Sequence, residues 1–434
     1  TMAAAGEPSS PEGLVSASPS GELTVDGSLM EGGGQILRTS GALAAIWDRR
    51  LRVVRIRGKR SKPGLRPQHL RGLEFVRDFS GGAMAGLEAG STEVAFIPSE
   101  DAFLGQAERS ESGVWIEEHL LDVKTAGACT LLLQTALPLV VASLVVAKRR
   151  ARRAGEAEEK SKQRRKLFPS AQRLCLKGGT DVPHAPLVDY VALVLAPNLE
   201  RLFGLHLAVD VRRRGFFPKG GGEVRVGVEL RSPRRPDPAT ATDAGKDRKV
   251  IRRCEIRVVS GHKKISQGQT RALAKVAEET VRADLEAFLH PDISQVGVTM
   301  AHDSKSLSPG LAFLVVVETC DGRTLGAGET LNAKSDWAEA VGAACAELRA
   351  PLRAGALDNH MQDQLLVLMA LFAKLGHDEG AATRTVPVAS PLTLHAQTCV
   401  ALINQMLRGE VALTVQEGEG EAGASLIQCK SLKG

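Results

Sequence analysis

From Ala126 to Ala147 the chain runs AGACTLLLQTALPLVVASLVVA, twenty-two residues without a charge, and any fold must wrap this segment in apolar surroundings. The KRRARR that follows imitates the positive cytoplasmic flank of a membrane span. Against a span stand Gln134, Pro138 and several Thr, Ser, Gly and Ala residues, and the stretch has no second copy in the chain. It is therefore expected to be the buried helix of a large core, with no membrane partner. A chain of 434 residues has length for two or three domains, and 43% hydrophobic with 24% charged residues is a globular balance. With aromatics at 3% and one tyrosine, Tyr190, a binding surface of many stacked rings, as in an RNA-recognition sheet, is not expected. Any grip on RNA must come from charge, for which 56 basic against 50 acidic residues leave a modest surplus. Seven cysteines, an odd number without a C-x-x-C pair or a secretory leader, point to reduced thiols in the cytosol or nucleus.

Residues 1–21, rich in Ala, Pro, Ser and Gly, are expected to form a disordered tail, with the fold starting near Leu23. ELTVDG then reads as a strand, a glycine triplet (Gly32 to Gly34) opens a helix, and LRVVRIRG reads as the next strand. A basic loop and the helix HLRGLEFVRDFSG complete a βαβα rhythm. RLCLKGG followed by DYVALVLAPNLERLFG repeats strand, glycine turn and helix, and two strands flank FFPKGGG. Junctions at Gly32 to Gly34, Gly178 with Gly179, and Gly220 to Gly222 suggest a repeated unit. SPRRPDPATATDAGKDRK reads as a linker, and residues 250–350 as strand, helix, strand, strand, helix. The expected class is α/β (α+β): a large domain over 22–238 and 353–434, and a smaller inserted α/β domain over 239–352. Residues 148–166 place ten basic residues among nineteen in a surface insertion. Two basic clusters about an acidic spacer suit a nuclear import signal or RNA phosphate, and equally a plain solvated loop.

No P-loop motif and no H-E-x-x-H or C-x-x-C spacing is present, so a nucleotide, if one is used, must bind without a P-loop, and a structural zinc is not expected. Glu31, Gln35, Arg38, Arg57, Lys59, Arg60, Lys62, Arg66 and His69 cluster around glycine turns and strand ends in the first 70 residues. Arginines clamp phosphate oxygens and a carboxylate holds a divalent ion, so this set suits a phosphate-rich ligand with a metal.

The blocks EGGGQILRTS, RIRGKRSKPGLRPQHLRGLEFV, AGACTLLLQTALPLV, LKGGTDVPHAP, RRGFFPKGGGEV, DNHMQDQLLVLMAL and SPLTLHAQT occur in this order. Together, over about residues 22 to 430, they resemble the RNA 3'-terminal phosphate cyclase family. The resemblance implies a large domain of repeated βαβαββ units with a smaller insert. It also implies an ATP-dependent enzyme that converts an RNA 3'-phosphate end to a 2',3'-cyclic phosphate through an enzyme-histidine-AMP and an RNA-adenylate. By motif, His395 is the adenylated nucleophile, Glu31 binds Mg²⁺ or Mn²⁺, and Arg38, Arg57 and Arg60 hold the triphosphate or RNA end. Gln35, Gln68 and His69 fall to substrate or phosphate, and Gln134, Pro183, His360, Asp363 and Gln364 to the nucleotide. Gln68, His69 and Gln134 also suit helix capping or core hydrogen bonding. His360 stands where the family commonly has tyrosine, HDEGAATRTVPVA lengthens the approach to His395, and the 148–166 insertion is unusual. Two other readings remain at this point: a non-catalytic cyclase-like ribosome-assembly factor and an enolpyruvyl transferase. A nuclear location, with possible cytoplasmic presence, is expected, and the oligomeric state is open.

Overall fold

The computed structural model describes residues 11–100, 118–157, 171–231, 249–290, 296–332, 335–375, 383–417 and 423–432. Strand β1 (Val15–Ala17) pairs antiparallel with β2 (Leu23–Asp26), so order begins before Leu23. Leu14 is fully buried and the Val15 amide donates to Gln405 Oε1, so an apolar anchor and a hydrogen bond tie down part of the expected tail. After β2 come α1 (Gly34–Ile46), β3 (Leu51–Val54), α2 (Pro67–Ser80), β4 (Ala83–Ala85) and β5 (Val94–Ile97). The expected strand LRVVRIRG stops at Val54, because Arg55 and Arg57 adopt left-handed backbone with φ of 51° and 54°. The bent segment is pinned by Arg55 paired with Asp26 and by the Arg57 amide bonded to Gly27 O.

The long apolar run forms α3 (Cys129–Ala157), preceded by β6 (Glu118–Asp122) and followed by β7 (Ala171–Gly178). Leu139 through Ala147 are all buried, so the charge-free stretch is enclosed by protein. The helix continues through the first ten residues of the basic 148–166 segment, which is thus helical at its start; residues 158–166 lie outside the described region, as does most of the expected linker, 232–248. A helical turn at Val188–Tyr190 and a π-helical Val191–Leu195 lead into α4 (Ala196–Phe203), then β8 (Leu205–Arg213) and β9 (Gly222–Leu230).

Topology makes the repeat explicit. In the first sheet β2 runs parallel to β3, then β5 and β4 follow antiparallel; in the second β6 runs parallel to β7, then β9 and β8 follow antiparallel. Near the C-terminus Leu357 bridges Val388 of β14 (Thr383–Ala389) in parallel. Strand β14 pairs with β16 (Ala424–Ser431), which pairs with β15 (Val411–Gln416). Each copy is βαβαββ with the same strand order, the last reduced to a bridge at its first strand. The glycine junctions do not mark equivalent points, since Gly32 to Gly34 precede the first helix of a unit, Gly178 and Gly179 follow a second strand, and Gly220 to Gly222 close a hairpin. The lengthening before His395 contains β14 rather than loop alone.

Between the second and third copies lies a smaller unit: β10 (Ile251–Gly261), α5 (Gln267–Leu285), β11 (Gly297–Asp303), β12 (Gly310–Thr319), β13 (Thr324–Leu331) and α6 (Trp337–Ala354). It carries one more strand than the sequence reading, because Asp321–Gly322 turns an apolar run back on itself. Phe313, Val315 and Val317 face α5 and α6 in the smaller core, while Ala312, Leu314 and Val316 join the larger one. Burial on both faces explains why LAFLVVV has no polar alternation. Phe216 fits between Gly261 and Gly310, where any added Cβ would come within 2.5 and 2.1 Å of its ring.

A buried ion network ties the two cores. Arg214 holds Asp181 at 3.1 Å and chelates Asp189, whose Oδ1 is also 3.3 Å from Arg257 of β10, and the Arg214 amide donates to Asp303 of β11. Burial pushes the Asp181 carboxyl up, which Arg214 opposes. Arg214→Ala leaves the buried Asp181 without its cation and Asp189 with Arg257 alone, and is expected to cost about 3–5 kcal/mol of stability at neutral pH. The loss should shrink as pH falls and Asp181, already pushed up by burial, takes up a proton, which urea unfolding at pH 7.5 and 5 reads.

Candidate active site

The third copy supplies α7 (Met361–Leu375) and α8 (Leu394–Met406). The first helices of the three copies, α1, α3 and α7, enclose a cleft lined by Gln35, Arg38, Gln134, Leu137, Pro138, Asp363 and Gln364 among others. Pro138 cannot donate to the Gln134 carbonyl, so the polar break in the apolar run lies on the cleft. Gln35, Asp363 and His395 all fall in the first turns of their helices, where unpaired amides and the helix dipole favour an anion.

Gln35 organises this mouth. Its Nε2 donates to Asp363 Oδ2 and to the His395 carbonyl, both at 3.0 Å, which leaves Oε1 as the acceptor 2.7 Å from His395 Nδ1. An acceptor there requires the proton on Nδ1, so the neutral ring carries its lone pair on Nε2. The imidazole is exposed while Gln35 is buried, which makes Nε2 an oriented and reachable nucleophile. Burial pushes the Asp363 carboxyl up, against the pull of His395 and Arg38. Thr393 caps α8 by accepting the Ala396 amide, and Thr398 one turn on accepts the Glu31 amide, tying the glycine loop to the histidine helix. Thr398 escaped the sequence reading; its spacing of three from His395 was the available sign.

Glu31 turns its carboxylate inward: Oε2 accepts the Gly33 amide at 2.7 Å and Oε1 meets Arg60 Nη2 at 2.9 Å. Arg57 donates to the Lys62 and Gly64 carbonyls, and its partial burial with Arg66 and Arg60 nearby draws its basicity down, against the pull of Glu31. Burial likewise lowers Arg38, opposed by Glu31 and Asp363. His69 is held neutral, its value pushed down to about 3 by burial and by Arg38, Arg57 and Arg66. Its Nδ1 accepts the Arg66 amide, so Nε2 carries the proton beside Gly34, where an added Cβ would lie 2.3 Å from it and 3.0 Å from Arg38 Nη1. Four arginines and a ring N–H thus surround two carboxylates, an excess of donors that a polyphosphate would satisfy.

Three expected contacts sit elsewhere. Gln68 Oε1 accepts the Ala128 amide and so secures the start of α3. Pro183 is exposed in the turn after β7, outside the residues lining the cleft. His360 stands edge-on to Tyr190 with ring centroids 5.6 Å apart and its Nε2 3.8 Å from Glu347, while its carbonyl accepts Gln364 Nε2.

The sequence model described as RNA 3'-terminal phosphate cyclase matches residues 29–413. The chain belongs to the RNA 3'-terminal phosphate cyclase family. It is 33% identical to the RNA 3'-terminal phosphate cyclase of Caldivirga maquilingensis over 90% of this chain and 94% of that protein. The cyclase of Methanopyrus kandleri is 32% identical over 92% and 96%, and that of Desulfurococcus amylolyticus 31% over 94% and 98%. Within this family member the matched span contains Glu31, Gln35, the arginine rim and His395 alike.

No cluster of three metal-ligating side chains occurs among the described residues, so a divalent ion here would need phosphate oxygens beside Glu31, which suits Mg²⁺. His69 makes the acid stability of this cyclase-family fold predictable. Its folded value of about 3 lies below the ~6.5 of an unfolded histidine, so its contribution is intact above that value and is lost as pH falls toward 3. Between pH 7 and 5 this one group should cost about 2 kcal/mol. His69→Gln should flatten that slope in urea unfolding at the two pH values, and an unchanged slope would contradict the assignment.

Proposed function

We propose that the chain is an ATP-dependent RNA 3'-terminal phosphate cyclase working through a histidine-AMP intermediate. The observation that carries this reading is the Gln35 lock on His395, which leaves the Nε2 lone pair free beside the cleft that Gln35 and Arg38 line. In the first step Nε2 attacks the α-phosphorus of ATP, the bond to the β-phosphate oxygen breaks, and pyrophosphate leaves. An RNA 3'-phosphate oxygen next attacks the phosphoramidate, giving RNA-adenylate and restoring the ring. The vicinal 2'-hydroxyl oxygen then attacks the 3'-phosphorus, closes the cyclic phosphate, expels AMP and gives its proton to solvent.

Arg38, Arg57 and Arg60 are assigned to the phosphate oxygens on which charge builds, and His69 adds a neutral N–H donor. Asp363 acts through Gln35 and stabilises the ring once Nε2 is substituted and it becomes cationic. Gln134 and Gln364 provide polar edges of the cleft for the nucleotide. Mg²⁺, or Mn²⁺, held by Glu31 with phosphate oxygens, supplies charge neutralisation when bound. A binding factor or an enolpyruvyl transferase has no use for an oriented histidine lone pair. The basic segment 148–166 we assign to nuclear import, and a fluorescent fusion lacking it should lose nuclear accumulation.

Incubation with α-labelled ATP and Mg²⁺ should give an acid-labile, alkali-stable adduct, and γ-labelled ATP none. His395→Asn should abolish it. Gln35→Leu keeps the nucleophile but frees the tautomer, and should slow adenylation by roughly a hundredfold, as should Arg38→Ala. Label uptake by the His395 variant, or normal rates in both others, would overturn the mechanism.

A further inference from the structure

Away from the cleft, four loops meet at the seam between the two cores. The Lys219 amide donates to Ser308 Oγ at 3.1 Å, and the His262 amide to the Asp303 carbonyl at 2.9 Å. Leu307 lies on the bare backbone of Gly221, where a Cβ would come within 2.4 Å of its Cδ1. The hairpin β8–β9, the turn into α5 and the β11–β12 loop are thereby one surface. Gly220 in turn abuts Thr125 and Ala126, and the next residues, Gly127 and Ala128, rest on Gln68, the neighbour of His69. The surface is therefore continuous with the arginine rim.

Its composition departs from an ordinary solvated face. Lys219, Lys263, Lys264 and Lys305 are exposed and none pairs with a carboxylate among the described residues, while the nearby carboxylate of Asp303 is spent on backbone amides. Among these cations stand Phe217, 65% exposed, and Leu307, 47% exposed. In a chain with so few aromatic residues, a phenyl ring left in water amid lysines lacks a folding reason. Unpaired cations that follow a backbone, with a ring for a base to lie on, are the elements of a sequence-tolerant single-strand site. The capped start of α5 adds the positive end of a long helix beside Lys264.

We propose that this seam is a second binding site for single-stranded RNA, holding the strand upstream of the 3' end that the cleft receives: lysines on phosphates, Phe217 under a base. The direction of the strand rests on the cyclase reading; the site itself does not. A duplex is disfavoured because Phe217 needs an unstacked base.

Binding of 5'-fluorescein RNAs, read by anisotropy without ATP, tests it. A single strand of about 16 nucleotides should bind more tightly than a 3'-phosphorylated dinucleotide. The triple charge reversal Lys219→Glu, Lys263→Glu, Lys305→Glu should weaken the long strand at least tenfold and lower the salt slope by about two, three phosphates at roughly 0.7 each. Phe217→Ala should weaken it about tenfold at an unchanged slope. All variants should keep wild-type adenylation and dinucleotide affinity, which also shows that they fold. Equal affinity of wild type and triple variant for the long strand would overturn the proposal, as would an equal loss on the dinucleotide. If RNA binding follows these expectations while wild type takes no label from ATP, the seam stands and the cyclase reading falls.

Discussion

A single buried carboxamide holds the reacting end of the molecule together. Gln35 belongs to the first repeat, yet its two donors and its acceptor are satisfied by the carboxylate of Asp363 and by the carbonyl and ring of His395, more than 300 residues away. An amide has distinct ends, and two acceptors facing Nε2 leave Oε1 for the ring, so the tautomer of His395 follows from the position of Asp363. The link also closes the fold, because α1 of the first copy and α7 with α8 of the third must dock before any of these bonds exist. Glu31 is subject to the same closure through Thr398. The mouth is thus a product of the finished tertiary structure, with no local version in any one repeat.

The electrostatics follow from where the repeats meet. Three copies of one unit bring their first helices together around a common core, and the amides at the helix ends are left over where the apolar contacts run out. Arg38, Arg57, Arg60 and Arg66 add positive charge to ground that is already positive, which is why burial and mutual repulsion draw Arg57 down and His69 far down. A site so arranged is electrostatically unfavourable until an anion enters, and part of the binding energy of a phosphate is relief of that repulsion. The left-handed backbone at Arg55 and Arg57, at about 1–2 kcal/mol for each residue, lets Arg55 reach Asp26 while Arg57 lies near Glu31, Arg60 and Arg66.

What could be read in advance had local causes. The periods of α1 and α2 and the enclosed run of α3 come from apolar spacing, which tertiary contacts rarely overrule in long elements. The βαβαββ units, His395 and Asp363 come from the resemblance, while Glu31, Gln35 and Arg38 stand out by their own clustering, and Glu31 and His395 are tied together through Thr398, Gln35 and Asp363. Illegible were features set by distant partners. The ordered stretch about Leu14 depends on Gln405, the end of β3 at Val54 on Asp26, and the extra strand of the small unit on a sheet buried on both faces. The glycines misled about the copies because they answer to close approaches, such as His69 over Gly34 and Phe216 over Gly310, which differ from one repeat to the next.

That difference explains how a repeated architecture arrives at one site rather than three. Pairing order is a property of backbones and survives in every copy, but the first helix of each copy meets the cleft with different side chains. The first offers Gln35 and Arg38 near the start of its helix, the second an apolar wall broken by Gln134 and Pro138, and the third Asp363 and Gln364. The second helices diverge as well: α2 begins with His69 held by the Arg66 amide, α8 with His395 held by Gln35. Two histidines in the first turns of second helices are thereby given opposite roles by their hydrogen bonds. One accepts at Nδ1 and presents a proton on Nε2; the other donates from Nδ1 and presents a lone pair. A phosphate lying between them would meet a hydrogen-bond donor on one side and a lone pair on the other, which an exact repeat could not provide.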